Sequence, residues 1–488
     1  MSSLLTSLRN FDDLLKAIPD AEQRLAPLYA YLRASETKLL GLFDAANRGV
    51  AHIASPEDTD GDLEFGLVLY WLEHPEQEHI NVLLADPALA IATQALVRLA
   101  PRSRINTESF NSLFNIAYNT GFVASDGTLY TLGKYAQLDA LWLTAAANYA
   151  INLLDHDSIY HPFPTNPYHA SIDAGRKSIS IAIIGDWGTG VYDTDYAGNG
   201  PAVAVMDAVR RMKPDYVVHL GDVYYCGTDD RFPRHEEQAN LLDQWKTGTG
   251  ARTCFTLNSN HEMYGAAQGL IGVALTGDTP FGHQNSTTYF GVEFGNWVIL
   301  GLDSAYFDSS MLYMKGALGD SSNTQQRDFV KTAFGDLGNK QVFVMTHHNP
   351  MSFDGGSMTN NGQLWNDMLD TLGGKQPDVW YWGHLHLGVA YNGKSAIGKK
   401  SQSKTLGRCV GHSAIPFGNP GGMNAGNVDY YAHTNVGIGT KQVRNGFAVV
   451  TLGANGSLAE TFYEIDANGR CVRTWSKAQG ISLADGTR

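Results

Sequence analysis

The hydrophobic residues of this chain follow two different patterns, one before residue 155 and one after residue 177. Leucine and aromatic residues recur every three to four positions over 4–15, 25–43 and 138–149, which predicts apolar stripes on helices. A further helix is predicted over 86–101, since Asp86-Pro87 is a typical helix start and Pro101 a typical stop. We therefore predict an all-helical domain over residues 1–155.

Beyond residue 177 the apolar residues form short continuous runs flanked by turn residues. These runs are 178–184, 216–220, 254–257, 297–302, 342–346 and 379–382. Such runs are typical of strands buried on both faces of a layered α/β fold. The runs 447–452 and 458–465 are separated by Gly453-Ala454-Asn455-Gly456-Ser457, which predicts a hairpin. We predict a linker over 156–177, an α/β domain over 178–465 and a loosely ordered tail over 466–488.

Composition narrows the class of protein. The chain has 488 residues, of which 43% are hydrophobic, and a net charge of −14, so a nucleic-acid partner is not expected. The four cysteines are scattered and form no C-x-x-C pair, which favours a reducing compartment. The first twenty residues have no pattern of a secretory signal, and the apolar stretch 138–154 is too short and polar to span a membrane. We expect a soluble, cytoplasmic protein with no membrane partner.

Polar residues follow five of the predicted strands at the point where each strand ends. They stand in the segments Gly185-Asp186-Trp187-Gly188, Gly221-Asp222-Val223-Tyr224-Tyr225, Asn258-Ser259-Asn260-His261-Glu262, His347-His348-Asn349-Pro350 and Gly383-His384-Leu385-His386. In α/β sheets the loops beyond the carboxyl ends of the strands build the functional site. We therefore expect two carboxylates, a phenol, an amide and three or four imidazoles to meet there.

This set of side chains is typical of a metal site. Oxygen and imidazole donors without thiolate favour hard to borderline ions. The donors are too many for one ion that keeps a place open for water, and they suit two ions that share one carboxylate. Two ions about 3.5–4 Å apart hold a hydroxide and bind a phosphoryl group between them. The sequence thus predicts a binuclear metal centre that can hold a hydroxide and bind a phosphoryl group.

The ordered series of segments resembles the calcineurin-like metallophosphoesterases, and within them most closely the purple acid phosphatases, including the tartrate-resistant type. The family pattern GDxG, GDxxY, GNH[DE], VxxH and GHxH stands here as GDWG, GDVYY, SNHE, VMTH and GHLH, within residues 178–465. The resemblance implies an α/β fold, a four-layer αββα sandwich, to which this chain adds its helical N-terminal domain.

The resemblance also implies a role for each residue of the site. An Fe(III) ion would be held by Asp186, Asp222, Tyr225 and His386, and a divalent iron, zinc or manganese ion by Asp222, Asn260, His347 and His384. Asp222 would bridge the two ions. Tyr225 is chosen because it stands three residues after Asp222, where purple acid phosphatases have a tyrosinate. His261 would not bind metal but would act as a catalytic residue that faces the phosphate and the leaving group.

The chain departs from the family at several places, and alternatives follow. Ser259 replaces a glycine, and the stretch 352–361 lacks the histidine pair of the plant-type enzymes. Members of this family are usually secreted, whereas no signal is seen here. The implied activity is that of a phosphomonoesterase on a phosphorylated small molecule. The alternatives are a phosphodiesterase acting on a cyclic nucleotide or phospholipid-type diester, and a non-catalytic protein whose metal domain is a scaffold. In either case the helical region could bind a protein partner or a second copy.

Overall fold

The structure is a computed structural model that describes most of the chain beyond residue 160 and parts of the region before it. The described residues are 16, 18–47, 68–74, 122–123, 129–130, 134–135, 139, 141–154, 161–173, 175–191, 200–229, 235–245, 253–415, 418, 420–434 and 443–480. The predicted helices over 4–15 and 86–101 lie outside them.

α-Helices and strands are interspersed along the described part of the chain. The helices are α1 (Ala21–Asn47), α2 (Trp142–Leu154), α3 (Pro201–Met212), α4 (Asn260–Tyr264), α5 (Gln325–Phe334), α6 (Gln363–Thr371) and α7 (Ala396–Lys400). The strands are β1 (Phe122–Val123), β2 (Leu129–Tyr130), β3 (Tyr168–Ser171), β4 (Ser178–Ile184), β5 (Tyr216–His219), β6 (Cys254–Thr256), β7 (Phe290–Phe294), β8 (Trp297–Gly301), β9 (Gln341–Thr346), β10 (Val379–Trp382), β11 (Gly388–Tyr391), β12 (Leu406–Val410), β13 (Val428–Tyr431), β14 (Gly446–Gly453), β15 (Leu458–Ile465) and β16 (Cys471–Gln479).

Two mixed sheets dominate the fold. One has eight strands in the order β13-β11-β12-β10-β9-β8-β7-β3, and the other has six in the order β16-β15-β14-β4-β5-β6. The strands β4, β5 and β6 run parallel, as do β8, β9, β10 and β12. Parallel strands present their carboxyl ends at the same edge, so each sheet offers one row of loops for a site.

The core lies in three layers of side chains, which makes the four-layer αββα arrangement explicit. Between the sheets, Ile181 and Ile183 of β4 are buried in one cluster with Phe343 of β9. On the outer face of the six-stranded sheet, Val205 and Val209 of α3 are buried against it. The other outer face is covered by α5, α6 and α7. The predicted fold class is therefore confirmed.

A buried ion pair joins the two sheets near their centre. Arg408 of β12 donates from Nε and Nη2 to both carboxylate oxygens of Glu460 on β15, each at 2.8 Å, and neither side chain is more than 1% exposed. Tyr381 of β10 donates to the same carboxylate at 2.8 Å. Because every charged group here is paired and away from water, removal of one partner is costly.

The described part of the N-terminal region contains two of the predicted helices but is not wholly helical. The stripe over 25–43 lies on α1, where Leu25, Leu28 and Leu32 are buried, and the stripe over 138–149 marks α2. The strands β1 and β2 form a short antiparallel pair before α2, which corrects the expectation of an all-helical region. No helix among the described residues combines the length and the apolar character needed to cross a bilayer.

Two strands appear where the sequence predicted irregular segments. β3 lies inside the predicted linker and pairs with β7 in parallel, and β16 lies inside the predicted tail and pairs with β15. Both are edge strands with one or both faces partly exposed. Their sequences therefore mix polar and apolar residues and lack the continuous apolar run that marked the buried strands.

Replacement of Arg408 or Glu460 by alanine should destabilise the domain by about 3–5 kcal/mol, because each change leaves one buried charge without its partner. The measurement is urea denaturation followed by circular dichroism. The exposed pair Arg327–Asp370 provides the control: Arg327→Ala should cost less than about 1 kcal/mol. If the single variants at Arg408 and Glu460 lose no more free energy of unfolding than this control, the buried pair does not stabilise the packing of the two sheets.

Candidate metal centre

The predicted polar residues converge where the two sheets meet. Asp186, Asp222 and Asn260 follow β4, β5 and β6 of the six-stranded sheet. His347 follows β9 of the eight-stranded sheet, and His384 and His386 follow β10. All six side chains are at least 94% buried. The site therefore forms only when both sheets are packed against each other.

One half of the site is centred on His347. Its Nε2 lies 2.9 Å from Asn260 Oδ1, 3.2 Å from His384 Nδ1 and 3.2 Å from Asp222 Oδ1. Its Nδ1 donates to the Leu220 carbonyl at 2.9 Å. In the neutral ring the proton is thus on Nδ1, and Nε2 presents its lone pair to the cluster.

The other half is centred on His386. Its Nε2 lies 3.3 Å from Asp186 Oδ1, 4.0 Å from Asp222 Oδ2 and 3.1 Å from the hydroxyl of Tyr224. The Tyr224 hydroxyl also lies 2.9 Å from Asp222 Oδ2. Asp222 thus points one oxygen to each half of the site, as a bridging ligand would.

The donor set fits cations. Of the atoms around His347 Nε2, only His384 Nδ1 can carry a proton towards it. Asn260 Oδ1 and Asp222 Oδ1 offer lone pairs. The Asn260 amide nitrogen donates to the Tyr264 hydroxyl at 3.0 Å, which leaves its oxygen for the cluster. Buried lone pairs facing one another without donors are unfavourable, and a metal ion resolves that repulsion. Two groups of His and Asp side chains close enough to hold an ion, His347-His348-His384 and Asp186-Asp222-His347, occur among the described residues.

The phenol that the structure brings to the cluster is that of Tyr224, which corrects the expectation for Tyr225. The Tyr225 hydroxyl instead donates to the Asp139 carboxylate in the segment before α2. Burial, together with the charge of Asp139, raises the pKa of the Tyr225 phenol well above its ordinary value. The D-x-x-Y spacing suggested Tyr225, but the backbone after β5 turns so that the second residue beyond Asp222, and not the third, points into the site.

His261 lies beside the ligand positions. Its Nδ1 donates to the Tyr225 carbonyl at 2.7 Å, so Nε2 is the nitrogen that faces the cluster, 3.9 Å from Asp222 Oδ2. Its ring packs at 4.4 Å from the Tyr224 ring. The side chain is thus held in one orientation at the edge of the site, as expected for a residue that faces substrate.

The adjacent histidines His347 and His348 have different partners. Both ring nitrogens of His348 are used by the protein, since Nε2 donates to the Tyr313 carbonyl at 2.6 Å and Nδ1 lies 2.9 Å from the Ser304 hydroxyl. These contacts supply a structural reason to prefer His347 as the ligand, which the sequence had chosen from the V-x-x-H spacing.

Local backbone geometry aims the ligands. Asp186, Asp222, His384 and His386 all have positive φ, between 50° and 76°. Such conformations cost of order 1–3 kcal/mol each for residues other than glycine and cluster at functional sites. Gly383 precedes His384, and a Cβ there would lie 2.6 Å from Asp186 Oδ2. Glycine at this position therefore permits the close approach of the two strand ends.

Ser259, the departure from the family pattern, contacts two carboxyl groups at the back of the site. Its hydroxyl lies within hydrogen-bond distance of Asp222 and Glu262 and also accepts from the His261 amide at 3.0 Å. One hydroxyl proton cannot satisfy two carboxylates. Burial and the charge of Asp222 raise the pKa of Glu262 to about 8, so a protonated Glu262 can donate to Ser259, which in turn donates to Asp222. This series of hydrogen bonds from Glu262 through Ser259 to Asp222 was not predicted from the sequence.

Burial keeps the imidazoles neutral, and neighbouring groups keep the Asp222 carboxylate charged. It lowers the pKa of His347 and of His386 from 6.5 to about 3. Burial alone would raise the pKa of Asp222, but the neighbouring His347 and His261 bring it well below its ordinary value. Neutral imidazole and ionised carboxylate are the forms that bind metal.

His347→Ala should remove at least one bound metal ion, because it deletes the nitrogen at the centre of one half of the site. His348→Gln should keep the metal, since its contacts are with Ser304 and Tyr313. Metal bound after dialysis against Zn²⁺ is measured by mass spectrometry. Equal metal loss in two folded variants would contradict the distinction between the adjacent histidines.

The metal-free protein should lose stability as the pH falls from about 6.5 towards 3, because the unfolded state then binds protons that buried His347 and His386 do not take up. Each histidine contributes up to about 1.4 kcal/mol per pH unit in this range. The raised pKa of Glu262 acts in the opposite direction, so the measurement is the difference between the wild type and His347→Asn/His386→Asn in denaturant midpoints from neutral pH to about pH 5. Parallel curves for the two proteins would contradict the assignment.

Comparison with known proteins relates part of the chain, residues 179–388, to a described family. No curated protein matches the chain by sequence. Among solved structures, GAP50, the anchor in the inner membrane complex of Plasmodium, is 13% identical with a TM-score of 0.40, over 64% of this chain and 91% of that one. A purple acid phosphatase from yellow lupin (Lupinus luteus) seeds is 14% identical with a TM-score of 0.40, over 64% of this chain and 55% of that one. Residues 179–388 match the family model of the calcineurin-like phosphoesterases.

Proposed function

We propose that this protein is a phosphoric ester hydrolase with two metal ions, acting as a phosphomonoesterase of the purple acid phosphatase kind. The observation that carries the proposal is the position of Asp222. Its two carboxylate oxygens face two separate groups of buried side chains, centred on His347 and His386. A carboxylate so placed suits two cations that share one ligand.

The residues of each group define what each ion would meet. Asp186, Asp222, Tyr224 and His386 would hold one ion, and Asp222, Asn260, His347 and His384 the other. A phenolate is a hard anionic donor, so the position beside Tyr224 suits Fe(III), and the amide and imidazoles suit divalent iron, zinc or manganese. When bound, two such ions activate water and stabilise the charge of the phosphoryl group.

His261 supplies the proton. Because Nδ1–H donates to the Tyr225 carbonyl, His261 acts as the acid in its imidazolium form, whose second proton is on Nε2 on the side of the cluster. A phosphate held by cations at the cluster would meet this nitrogen, and Nε2–H would donate to the oxygen of the departing alcohol as its bond to phosphorus breaks. The ring is fixed between aromatic neighbours, so little reorientation is needed when the ester bond breaks.

The burial of the site favours small substrates. His261, His384 and His386 are only 5–6% exposed, and Asp222 is fully buried. A terminal phosphate can reach such a site more readily than a diester with a bulky group on each side. The proposed substrate is therefore a phosphorylated small molecule. A reducing compartment is part of the proposal, because none of the four cysteines is joined in a disulfide.

His261→Ala should lower kcat by about 10²–10⁴-fold while metal content stays near that of the wild type, because a general acid is lost and the predicted ligands remain. The assay is hydrolysis of p-nitrophenyl phosphate by metal-loaded protein. His169→Asn, an exposed position on β3, is the matched control and should keep full activity. Proportional loss of metal and turnover in His261→Ala would refute the role assigned to this residue.

A parallel assay with bis(p-nitrophenyl) phosphate tests the reaction class. Faster hydrolysis of the monoester supports the proposal, and activity confined to the diester supports a phosphodiesterase instead. Metal-loaded protein that hydrolyses neither ester would overturn the proposed enzyme and favour a non-catalytic role for the metal domain.

A further inference from the structure

The segment before α2 contacts the loop that follows β5, although the two lie far apart in the sequence. Asp139 accepts from the Leu141 amide at 3.0 Å through Oδ1 and from the Tyr135 amide at 2.8 Å through Oδ2. The same Oδ2 accepts from the Tyr225 hydroxyl. Asp139 is therefore a fixed acceptor that holds the end of the Tyr225 side chain.

Tyr225 connects this contact to the metal site through its backbone. Its carbonyl accepts from His261 Nδ1 at 2.7 Å, and its direct neighbour in sequence is Tyr224, whose hydroxyl lies on Asp222 and His386. With its hydroxyl held by Asp139, Tyr225 is fixed at both ends. A shift of Tyr225 would move the phenol of Tyr224 and the ring of His261 together.

Aromatic packing from the N-terminal region reinforces the same position. Trp142, the first residue of α2, is 2% exposed, and its ring lies 5.0 Å from the Tyr225 ring at 89° and 5.5 Å from the His261 ring. Tyr135 also packs against Tyr225, and the centroids of the two rings lie 4.8 Å apart. Edge-on and tilted pairs of this kind contribute beyond simple burial.

The helix itself is tied to the loops of the site. Asn148 donates to Cys226 Sγ at 3.4 Å, and Asn152 donates to the Met263 carbonyl and the Tyr313 hydroxyl, each at 3.0 Å. Cys226 directly follows Tyr225, and Met263 belongs to α4, which begins at Asn260. Polar side chains buried on a helix face thus find their partners on the segments that carry ligands.

We propose that Asp139 is a positioning residue of the metal centre: through Tyr225 it places the Tyr224 phenol on one ion and orients His261, so that the N-terminal region completes the site of the phosphoesterase domain. This inference concerns the site of the proposed function, but it is a statement about metal binding and does not require turnover. Partners that orient ligands without touching the metal change affinity by about 10–100-fold.

The test is calorimetric titration of Zn²⁺ into the metal-free, full-length protein. Asp139→Ala and Tyr225→Phe should each weaken one of the two binding events by about 10–100-fold. Asp139→Asn, which keeps one acceptor oxygen, should fall between Asp139→Ala and the wild type. Arg24→Gln is the matched control, because Arg24 donates to the Leu154 carbonyl at 2.8 Å and joins α1 to the far end of α2 without contacting the site. It should bind Zn²⁺ like the wild type.

A second readout uses Fe(III). The wild type loaded with Fe(III) should show a visible phenolate-to-iron band, which Tyr224→Phe abolishes and which Tyr225→Phe shifts or weakens while Arg24→Gln leaves it in place. Circular dichroism identifies any unfolded variant, and Tyr225→Phe, which deletes one oxygen and keeps the ring, serves if Asp139→Ala does not fold.

The outcomes separate the two ideas. Folded Tyr225→Phe with wild-type Zn²⁺ affinity overturns the positioning role and leaves the proposed hydrolase intact. Wild type that binds Zn²⁺ and shows the predicted losses in the variants, but hydrolyses no ester, overturns the proposed function and supports the positioning role. Wild type that binds no metal overturns both.

Discussion

Buried lone pairs that face one another without a proton between them are the constraint on which this structure depends. His347 Nε2 lies 2.9 Å from Asn260 Oδ1 and 3.2 Å from Asp222 Oδ1, and neither the oxygens nor the imidazole nitrogen can donate. Such an arrangement is stable only if a cation stands among the donors or if the surrounding fold is rigid enough to hold it. The packed fold supplies the rigidity, and the set of donor atoms indicates a cation among them.

The rigidity comes from two sheets that both contribute residues to the site. The Arg408–Glu460 pair and the apolar layer between the sheets fix their relative position, so the carboxyl ends of β4, β5, β9 and β10 meet at one point. The ligands then reach the centre from left-handed backbone at four positions. Strain of this kind persists only where the surrounding packing determines the conformation. Here buried side chains pack between the two sheets and on the outer face of each.

The N-terminal region changes how the site is understood. The sequence offered no chemistry for it, and its described helices have the stripes of an ordinary packing domain. In the structure, its polar residues lie on the loops that carry ligands, and Asp139 and Trp142 contact the two tyrosines after β5. The described residues within 135–154 thus contact the loops around the site directly.

The sequence by itself determined eight of the strands, the class of fold and most of the residues that meet at the site, but the buried strands β7, β11 and β12 were not predicted. Continuous apolar runs mark strands covered on both faces, and the residues that end those strands must meet at one edge, so Asp186, Asp222, Asn260, His347, His384 and His386 could be chosen without coordinates. The edge strands β3 and β16 escaped because half-exposed strands carry no such run. Only the tertiary structure decided between Tyr224 and Tyr225, because the path of the loop after β5 depends on Asp139, Tyr135 and Trp142 from a distant segment. Spacing along one segment cannot encode a contact whose other partner lies 86 residues away.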